Sequence, residues 1–131
     1  DLYKMEVYRL ARLRNEVRPK GCLGPGGIVI PERILTKAPT AELKPDQKDQ
    51  DTLPPYDVLD DILECLVEKE MPVARITERG HPVELVRRIE RMLNIAEYKR
   101  RQAAPGVKLS ERNFGRDRRY PITNKFRDSS R

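Results

Sequence analysis

The sequence predicts a mainly α-helical protein with one long irregular segment and an extended basic tail. Three stretches carry apolar residues at helical spacing, about 35 residues between the first two follow neither a helical nor a strand period, and cations are concentrated in the last quarter of the chain. The 131 residues suffice for one domain, but only 37% of them are apolar and Trp is absent. Any hydrophobic core is therefore modest.

The first helix is predicted over residues 1–16, where the helical pattern comprises Tyr3, Val7, Leu10, Ala11 and Arg14. Pro19 and the glycine-rich run at residues 21–27 end it. The apolar residues 28–30 fit a short edge strand, which Pro31 limits. Because the chain opens directly in a helical pattern and without Met, we expect it to be a piece of a longer protein.

The irregular segment runs from residue 19 to residue 53, and loops of this length in compact domains are usually functional or disordered. At its centre, Pro39 fixes its own φ and makes Ala38 extended, so Lys37 and Thr40 are expected to project from a stiff bend. An ammonium group, a hydroxyl group and the amides after Thr40 suit phosphate oxygens. Two other interpretations stay open, in which Thr40 merely caps a turn and the polar residues after it form a solvated linker.

Two further helices follow the irregular segment. The second is predicted from about Pro54 to about Glu70, because acidic residues occupy its first turns and four apolar side chains share one side: Leu59, Ile62, Leu63 and Leu66. A short helical turn is predicted over residues 73–78, and the third helix over residues 82–102. His81, between Gly80 and Pro82, is interpreted as a cap at that junction rather than a ligand.

The third helix ends in positive charge on the face that it uses for packing. Its apolar stripe comprises Leu85, Ile89, Met92, Leu93 and Ala96, and Lys99 lies at one border of the stripe with Arg100 inside it. A cation that points inward needs an anion, supplied by the protein or by a ligand. The alternative is that both cations only offset the helix dipole and cover apolar surface with their stems.

Charge and cysteine content narrow the class of protein. Residues 99–131 hold eleven Lys and Arg against three Asp and Glu, a net charge of +8, whereas residues 1–98 carry −2, so the net positive charge of the chain belongs to the tail. This pattern favours a nucleic acid, an acidic surface or a phosphorylated molecule as partner. The two cysteines, Cys22 and Cys65, are too far apart for a zinc motif and indicate reduced cytosolic thiols. No apolar run approaches the roughly 20 residues that cross a bilayer.

The order and spacing of several motifs resemble one known family. These are Asp1-Leu2-Tyr3-Lys4, Ile30-Pro31-Glu32, Lys37-Ala38-Pro39-Thr40-Ala41-Glu42-Leu43, Asp51-Thr52-Leu53-Pro54-Pro55-Tyr56, Glu97-Tyr98-Lys99-Arg100-Arg101-Gln102 and the run from Phe114 to Ile122. Together they resemble the C-terminal part of bacterial glutamine-dependent NAD synthetase over nearly the whole chain. The run from Phe114 to Ile122 favours the long glutamine-using form over the short ammonia-using form.

The resemblance implies a reaction and a set of site residues. In such a synthetase, ATP adenylates the nicotinate carboxylate of deamido-NAD, ammonia displaces AMP, and Mg²⁺ neutralises phosphate charge. Lys4 and Thr40 match residues that approach the ATP phosphates, and Lys37 is placed with them. Lys99 matches a residue that contacts deamido-NAD, and Tyr98 and Arg100 are assigned to the same site. No catalytic residue and no metal ligand is assigned within the chain.

The resemblance also implies how the chain is organised. Residues 1–131 would be the C-terminal portion of a doubly wound α/β synthetase domain of the adenine nucleotide hydrolase-like type, with residues 18–53 as a mobile nucleotide-covering region and residues 104–131 as an extended basic tail. The sequence lacks the Ser-Gly-Gly-x-Asp-Ser pyrophosphate loop and the amidase portion, so we expect the piece to be inactive alone. The implied partners are the rest of the synthetase domain, the glutaminase domain and further copies in a homo-oligomer, in the cytoplasm.

Two other classes remain open at this point. A basic nucleic-acid-binding module would use the charge and aromatic residues of the tail, although no recognised binding motif is present. A helical subunit-assembly segment would dock parent subunits without touching a ligand.

Overall fold

The structure is a computed structural model that describes residues 2–37, 53–113, 115 and 117–123. Within these ranges lie six helices: α1 (Lys4–Glu16), α2 (Glu32–Thr36), α3 (Tyr56–Val67), α4 (Val73–Thr77), α5 (Val83–Ile95) and α6 (Glu97–Gln102). No residue of the same ranges lies in a strand, which agrees with the predicted helical class. The chain divides into an N-terminal unit, Leu2–Asp57, and a C-terminal unit, Val58–Arg131.

The C-terminal unit contains the hydrophobic core. α3, α4 and α5 bring together nine buried side chains: Ile62, Cys65, Leu66, Val67, Val73, Ile76, Val86, Ile89 and Leu93. These residues recur at intervals of three and four along α3 and α5, so each helix presents one apolar face to the others. The predicted stripe on the third helix is therefore partly right, with Ile89 and Leu93 buried as expected.

The N-terminal unit has little apolar packing of its own. α1 buries none of its residues, and Leu35 on α2 is the buried hydrophobic residue among those described in this unit. Hydrogen bonds with the Asn15 side chain instead hold the segment that precedes α2. The Oδ1 atom of Asn15 accepts hydrogen bonds from the amides of Val29 and Ile30 at 3.0 and 2.9 Å, and its Nδ2 atom donates to the carbonyl of Ile30 at 2.8 Å.

The structure corrects two expectations in the N-terminal unit. The predicted edge strand at residues 28–30 is wrong, because the amides that a neighbouring strand would bind are used by the side chain of Asn15. The segment predicted as irregular contains helix α2, which follows Pro31 as its N-cap residue. The acidic Glu32 in the first turn of α2 is favourable to the helix dipole.

The predicted third helix is two helices. Ala96, with φ −77° and ψ 2°, is both the C-cap of α5 and the N-cap of α6. The apolar periodicity continues through Ala96, and no helix-breaking residue stands there. The sequence therefore does not mark the boundary between the two helices. The carbonyl of Leu93 near the end of α5 accepts a hydrogen bond from Nη2 of Arg100 at 2.7 Å, which ties α6 to α5 across the break.

A polar contact joins α3 to the start of α5. The Oδ2 atom of Asp61 lies 2.6 Å from Nε2 of His81, and its Oδ1 atom accepts a hydrogen bond from Nη2 of Arg79 at 3.0 Å. Gly80 between them has a φ of +100°, which glycine adopts without strain. The interpretation of His81 as a helix cap is wrong, since α5 begins at Val83 with Pro82 as its N-cap residue and has no side-chain cap.

Within the described ranges, no helix combines the length and the apolar character that crossing a bilayer requires. Neither Cys22, which is exposed, nor Cys65, which is buried, forms a disulfide bond.

Replacing Asn15 by Ala should destabilise the N-terminal unit by about 1–3 kcal/mol, because the amides of Val29 and Ile30 lose their acceptor. The better helix propensity of Ala offsets a few tenths of a kcal/mol of this loss. Urea unfolding followed by circular dichroism measures the change. Arg12→Ala, an exposed position on the same helix, is the control; equal unfolding free energies for the two variants would contradict the role of Asn15.

The stability of the C-terminal unit should fall on acidification partly through Asp61. The hydrogen bond from His81, together with the hydrogen bond and charge of Arg79, lowers the pKa of Asp61 against the opposing effect of burial. A carboxyl whose pKa is lowered on folding stabilises the fold above its unfolded pKa, and this contribution is lost as the pH falls through the folded value. The melting-temperature difference between wild type and Asp61→Asn should therefore be largest near neutral pH and shrink below about pH 4.

The matched control for this pH series is Glu111→Gln, which removes an exposed carboxylate from the same unit. Its melting temperature should follow that of wild type at every pH. If the Asp61→Asn difference stays constant from neutral to acid pH, the lowered pKa of Asp61 does not contribute to stability.

Candidate functional site

An open groove of about 760 Å³ lies in the N-terminal unit between α1, α2 and the residues that precede α2. One face of α1 supplies residues at helical spacing, and Arg33 and Lys37 follow each other by one turn at α2. The described lining comprises Lys4, Val7, Tyr8, Ala11, Ile30, Pro31, Arg33, Ile34, Leu35 and Lys37. The hydrogen bonds between the Asn15 side chain and the backbone of Ile30 hold Ile30 at this groove.

Two of the residues predicted to bind ATP, Lys4 and Lys37, line this same groove. Thr40, the third, lies outside the described residues. Arg33 is a further cation of the lining that the sequence reasoning missed. Its spacing of four residues from Lys37 is the available signal. Because the sequence predicts an irregular segment here, that spacing does not indicate a shared helical face.

The groove combines cations with apolar groups. Its described lining contains Lys4, Arg33 and Lys37 and no carboxylate. The Nζ atom of Lys4 lies 5.0 Å from the centre of the Tyr8 ring and 5.8 Å from that of Tyr56, both within cation–π range. These rings orient the ammonium group but do not neutralise it. The arrangement suits a ligand with a planar apolar part and negatively charged oxygens.

The residues assigned to deamido-NAD lie on α6 in the C-terminal unit. Tyr98 and Lys99 are exposed, and the Nζ atom of Lys99 lies 6.0 Å from the centre of the Tyr98 ring. Arg100 differs from them, since only 15% of its side chain is exposed. Its Nη2 atom donates to Oε2 of Glu97 at 2.5 Å and to the carbonyl of Leu93 at 2.7 Å.

The anion that the inward cation required is therefore supplied by the protein. Glu97 is 1% exposed, and its other carboxylate oxygen lies 3.6 Å from Nε of Arg101. The sequence reasoning missed Glu97, although it follows Leu93 by four residues and precedes Arg100 by three, which places all three on one helical face. The predicted stripe contains apolar residues only, so it does not include a buried acid.

The electrostatics around Glu97 favour its charged form. Burial by itself raises the pKa of this carboxyl, but the hydrogen bond and charge of Arg100, the backbone amide of Tyr120 and the charge of Arg101 outweigh burial, so the net pKa is lowered. Opposite charges and hydrogen bonds to a carboxylate are the interactions that keep it ionised when buried. Glu97 is thus a permanent negative charge at neutral pH.

The tail after residue 104 contacts the rest of its unit through several cations. Lys108 pairs with Asp117 at 2.8 Å, and Arg112 pairs with Glu70 next to the end of α3. The Arg118 guanidinium lies 3.9 Å from the centre of the Tyr120 ring and is 8% exposed. Lys108 and Arg112, two of the tail's cations, are therefore neutralised by acids of the same chain.

No group of three or more His, Cys, Asp or Glu side chains among the described residues could hold a metal ion. Of the described cations assigned to a ligand site, Lys4 and Lys37 belong to the N-terminal unit, whereas Lys99 and Arg100 belong to the C-terminal unit.

Comparison with known proteins gives a consistent result. The chain is 48% identical over 130 residues to a glutamine-dependent NAD(+) synthetase of Rhodobacter capsulatus, covering 99% of this chain and 24% of the relative. It is 46% identical to the enzyme of that name from Thermotoga maritima, covering 98% of this chain and 21% of the relative. The chain thus spans about a quarter or less of the length of these relatives.

A solved structure is also similar. The glutamine-dependent NAD+ synthetase of Acinetobacter baumannii in complex with adenosine diphosphate superposes with a TM-score of 0.54 at 38% identity, over 95% of this chain and 20% of that chain. The family model described as NAD synthase matches residues 1–103, which is most of the chain. On this match, the chain belongs to the NAD synthase family.

Proposed function

We infer that the chain is part of a glutamine-dependent NAD synthetase, a ligase that uses ATP to adenylate deamido-NAD and then amidates it with ammonia derived from glutamine. The observation that carries this proposal is the groove lined by Lys4, Arg33 and Lys37 with no carboxylate among its described lining, in a chain of this family. The relative from Acinetobacter baumannii in complex with adenosine diphosphate supports a nucleotide as the ligand.

On the ATP side, the proposed residues are Lys4, Lys37 and Thr40. Adenylation shifts negative charge onto the pyrophosphate that leaves, so fixed cations beside the phosphates stabilise the transition state more than the ground state. The two tyrosine rings beside Lys4 restrict the position of its ammonium group, which reduces the entropy lost when phosphate binds. The apolar surface beside the cations suits the adenine base.

On the dinucleotide side, the proposed residues are Lys99, Tyr98 and Arg100. Lys99 supplies an exposed ammonium group, and the Tyr98 ring beside it supplies an exposed aromatic surface. Arg100 contributes through its contacts with Glu97 and Leu93, which hold α6 to the end of α5. We propose that Lys99 contacts deamido-NAD directly and that Arg100 supports it.

Magnesium would accompany ATP in the parent enzyme. The described lining of the groove does not fit a magnesium site, because Mg²⁺ prefers oxygen ligands and this lining offers cations and apolar groups. Any protein ligands of the metal are therefore proposed to come from other parts of the parent chain.

The rest of the parent chain is also proposed to supply the pyrophosphate loop, the doubly wound α/β sheet and the glutaminase domain. The chain spans only 24% of its Rhodobacter capsulatus relative, which leaves ample length for these parts. We propose that the isolated piece is inactive, that the parent enzyme is a cytoplasmic homo-oligomer, and that residues 18–53 cover the bound nucleotide.

The assembly alternative also has an observation in its favour. α1 buries none of its residues and exposes Leu10 and Leu13 outside the groove, which suits a helix that packs against another part of the parent enzyme. This role is compatible with the nucleotide site, because the groove uses Lys4, Tyr8 and Ala11 of the same helix. Binding to nucleic acid gains no such support, since tail cations pair with Asp117 and Glu70.

Replacing Lys99 by Ala in the full-length enzyme should raise the KM for deamido-NAD by about tenfold, because one charge-assisted contact is lost. The KM for ATP should change little. Steady-state kinetics with ammonia as the nitrogen donor measure the synthetase step without the glutaminase. Arg91→Ala, an exposed cation on α5, is the control; an unchanged KM for deamido-NAD in Lys99→Ala would favour the assembly alternative.

Replacing Lys4 by Met should raise the KM for ATP by about tenfold or lower turnover to a similar extent, since Met fills the space between the tyrosine rings without the charge. The matched control is Lys20→Met, which removes an exposed lysine of the same unit outside the groove. ATP titrations of both variants with ammonia as donor give the comparison. Equal kinetic constants for the two variants would remove the groove from the proposed ATP site.

A further inference from the structure

The orientation of helix α6 depends on contacts outside the helix. α6 has six residues, and a helix of that length is not stable by itself. Its exposed residues include Tyr98 and Lys99, whereas its buried residue is Glu97. What fixes Glu97 therefore also fixes the direction in which the next two side chains leave the helix.

Arg100, which Glu97 holds in place, joins α6 to α5. Its Nη2 atom donates one hydrogen bond to Oε2 of Glu97 and another to the carbonyl of Leu93 on α5. The bond to Leu93 spans the break at Ala96, so it constrains how α6 continues from α5.

The same carboxylate joins α6 to the tail. The backbone amide of Tyr120 donates a hydrogen bond to Glu97. Arg101, whose Nε atom lies 3.6 Å from Glu97, donates from Nη2 to the carbonyl of Tyr120 at 3.2 Å. The Arg118 guanidinium packs on the Tyr120 ring. Three segments of the chain thus meet at one buried acid.

We propose that Glu97 is a positioning residue that sets Lys99 and Tyr98 in the orientation required for deamido-NAD by anchoring α6 to the tail and, through Arg100, to α5. The inference rests on the proposed role of Lys99 and assigns Glu97 no contact with the substrate. It assigns a role to the tail as well, because Tyr120 is one of the anchors.

A double-mutant cycle in the full-length enzyme tests the inference. Glu97→Gln keeps the shape and removes the charge, and it is made in the wild-type and Lys99→Ala backgrounds. With ammonia as donor, Glu97→Gln should raise the KM for deamido-NAD by about five- to tenfold in wild type and by less than about twofold in Lys99→Ala, with the KM for ATP unchanged. Glu84→Gln, an exposed acid in the first turn of α5, is the matched control and should leave both constants unchanged.

The outcomes separate the two proposals. If Lys99→Ala alone leaves the KM for deamido-NAD unchanged, the proposed role of Lys99 is wrong. If Lys99→Ala raises it but Glu97→Gln has no effect, or has the same effect in both backgrounds, Lys99 keeps its role and the positioning inference is overturned. An equal rise in the KM for ATP would also overturn it, since a general loss of structure does not select one substrate.

A second variant covers the case in which Glu97→Gln does not fold. Arg101→Met removes a largely exposed cation that binds Tyr120 and leaves the pair between Glu97 and Arg100 in place. It should raise the KM for deamido-NAD by about two- to threefold, again only when Lys99 is present. No rise, or a rise that persists without Lys99, contradicts the anchoring of α6 by the tail.

Discussion

The buried carboxylate of Glu97 is the constraint on which the C-terminal part of the molecule depends. Removing a carboxylate from water costs several kcal/mol, and the structure offsets this cost with the Arg100 hydrogen bond, the Arg101 charge and the Tyr120 amide. These partners come from α6 itself and from the tail. The acid therefore stays buried with its charge compensated only while helix and tail are assembled, which couples the order of the tail to that of α6.

Arg100 and the cations of the groove differ in how their charge is compensated. In the C-terminal unit, the largely buried Arg100 is neutralised by an acid three residues away. In the groove of the N-terminal unit, Lys4, Arg33 and Lys37 lie among apolar side chains, and the described lining contains no acid. A cation held beside apolar surface without an anion is a site that gains free energy when an anion binds. The presence or absence of a neighbouring acid thus distinguishes Arg100 from the groove cations that are proposed to bind ligand.

The sequence predicted the parts of the fold that periodicity controls. α3 and the start of α5 were placed to within a few residues because Leu66, Ile89 and Leu93 face one core, whereas α5 ends at Ile95 and was predicted to continue to residue 102. The break at Ala96 was missed because it depends on contacts with residues distant in sequence. Helix α2 was missed because its short segment carries too few periodic residues. The binding of residues 28–30 by Asn15 could not be found from pattern, since a polar residue at a helix end has many possible partners.

The residues of the candidate site also divide into those predicted from the sequence and those found only in the structure. Lys4 and Lys37 lie more than thirty positions apart in the sequence, and the structure places both at one groove. The motif resemblance named Lys4, whereas Lys37 was predicted from the stiff bend at Pro39. Arg33 and Glu97 carry no such signal in isolation. Arg33 gains meaning only once α2 is known to be a helix, because it then lies one turn before Lys37.

The meaning of Glu97 likewise depends on the tail, which supplies Tyr120 as a partner. Tyr120 lies 23 positions beyond the acid, so no helical periodicity relates the two residues. The residues proposed to touch ligand were thus predicted from local motifs, whereas Glu97, which is proposed to orient two of them, is distinguished by tertiary contacts that only the folded chain shows.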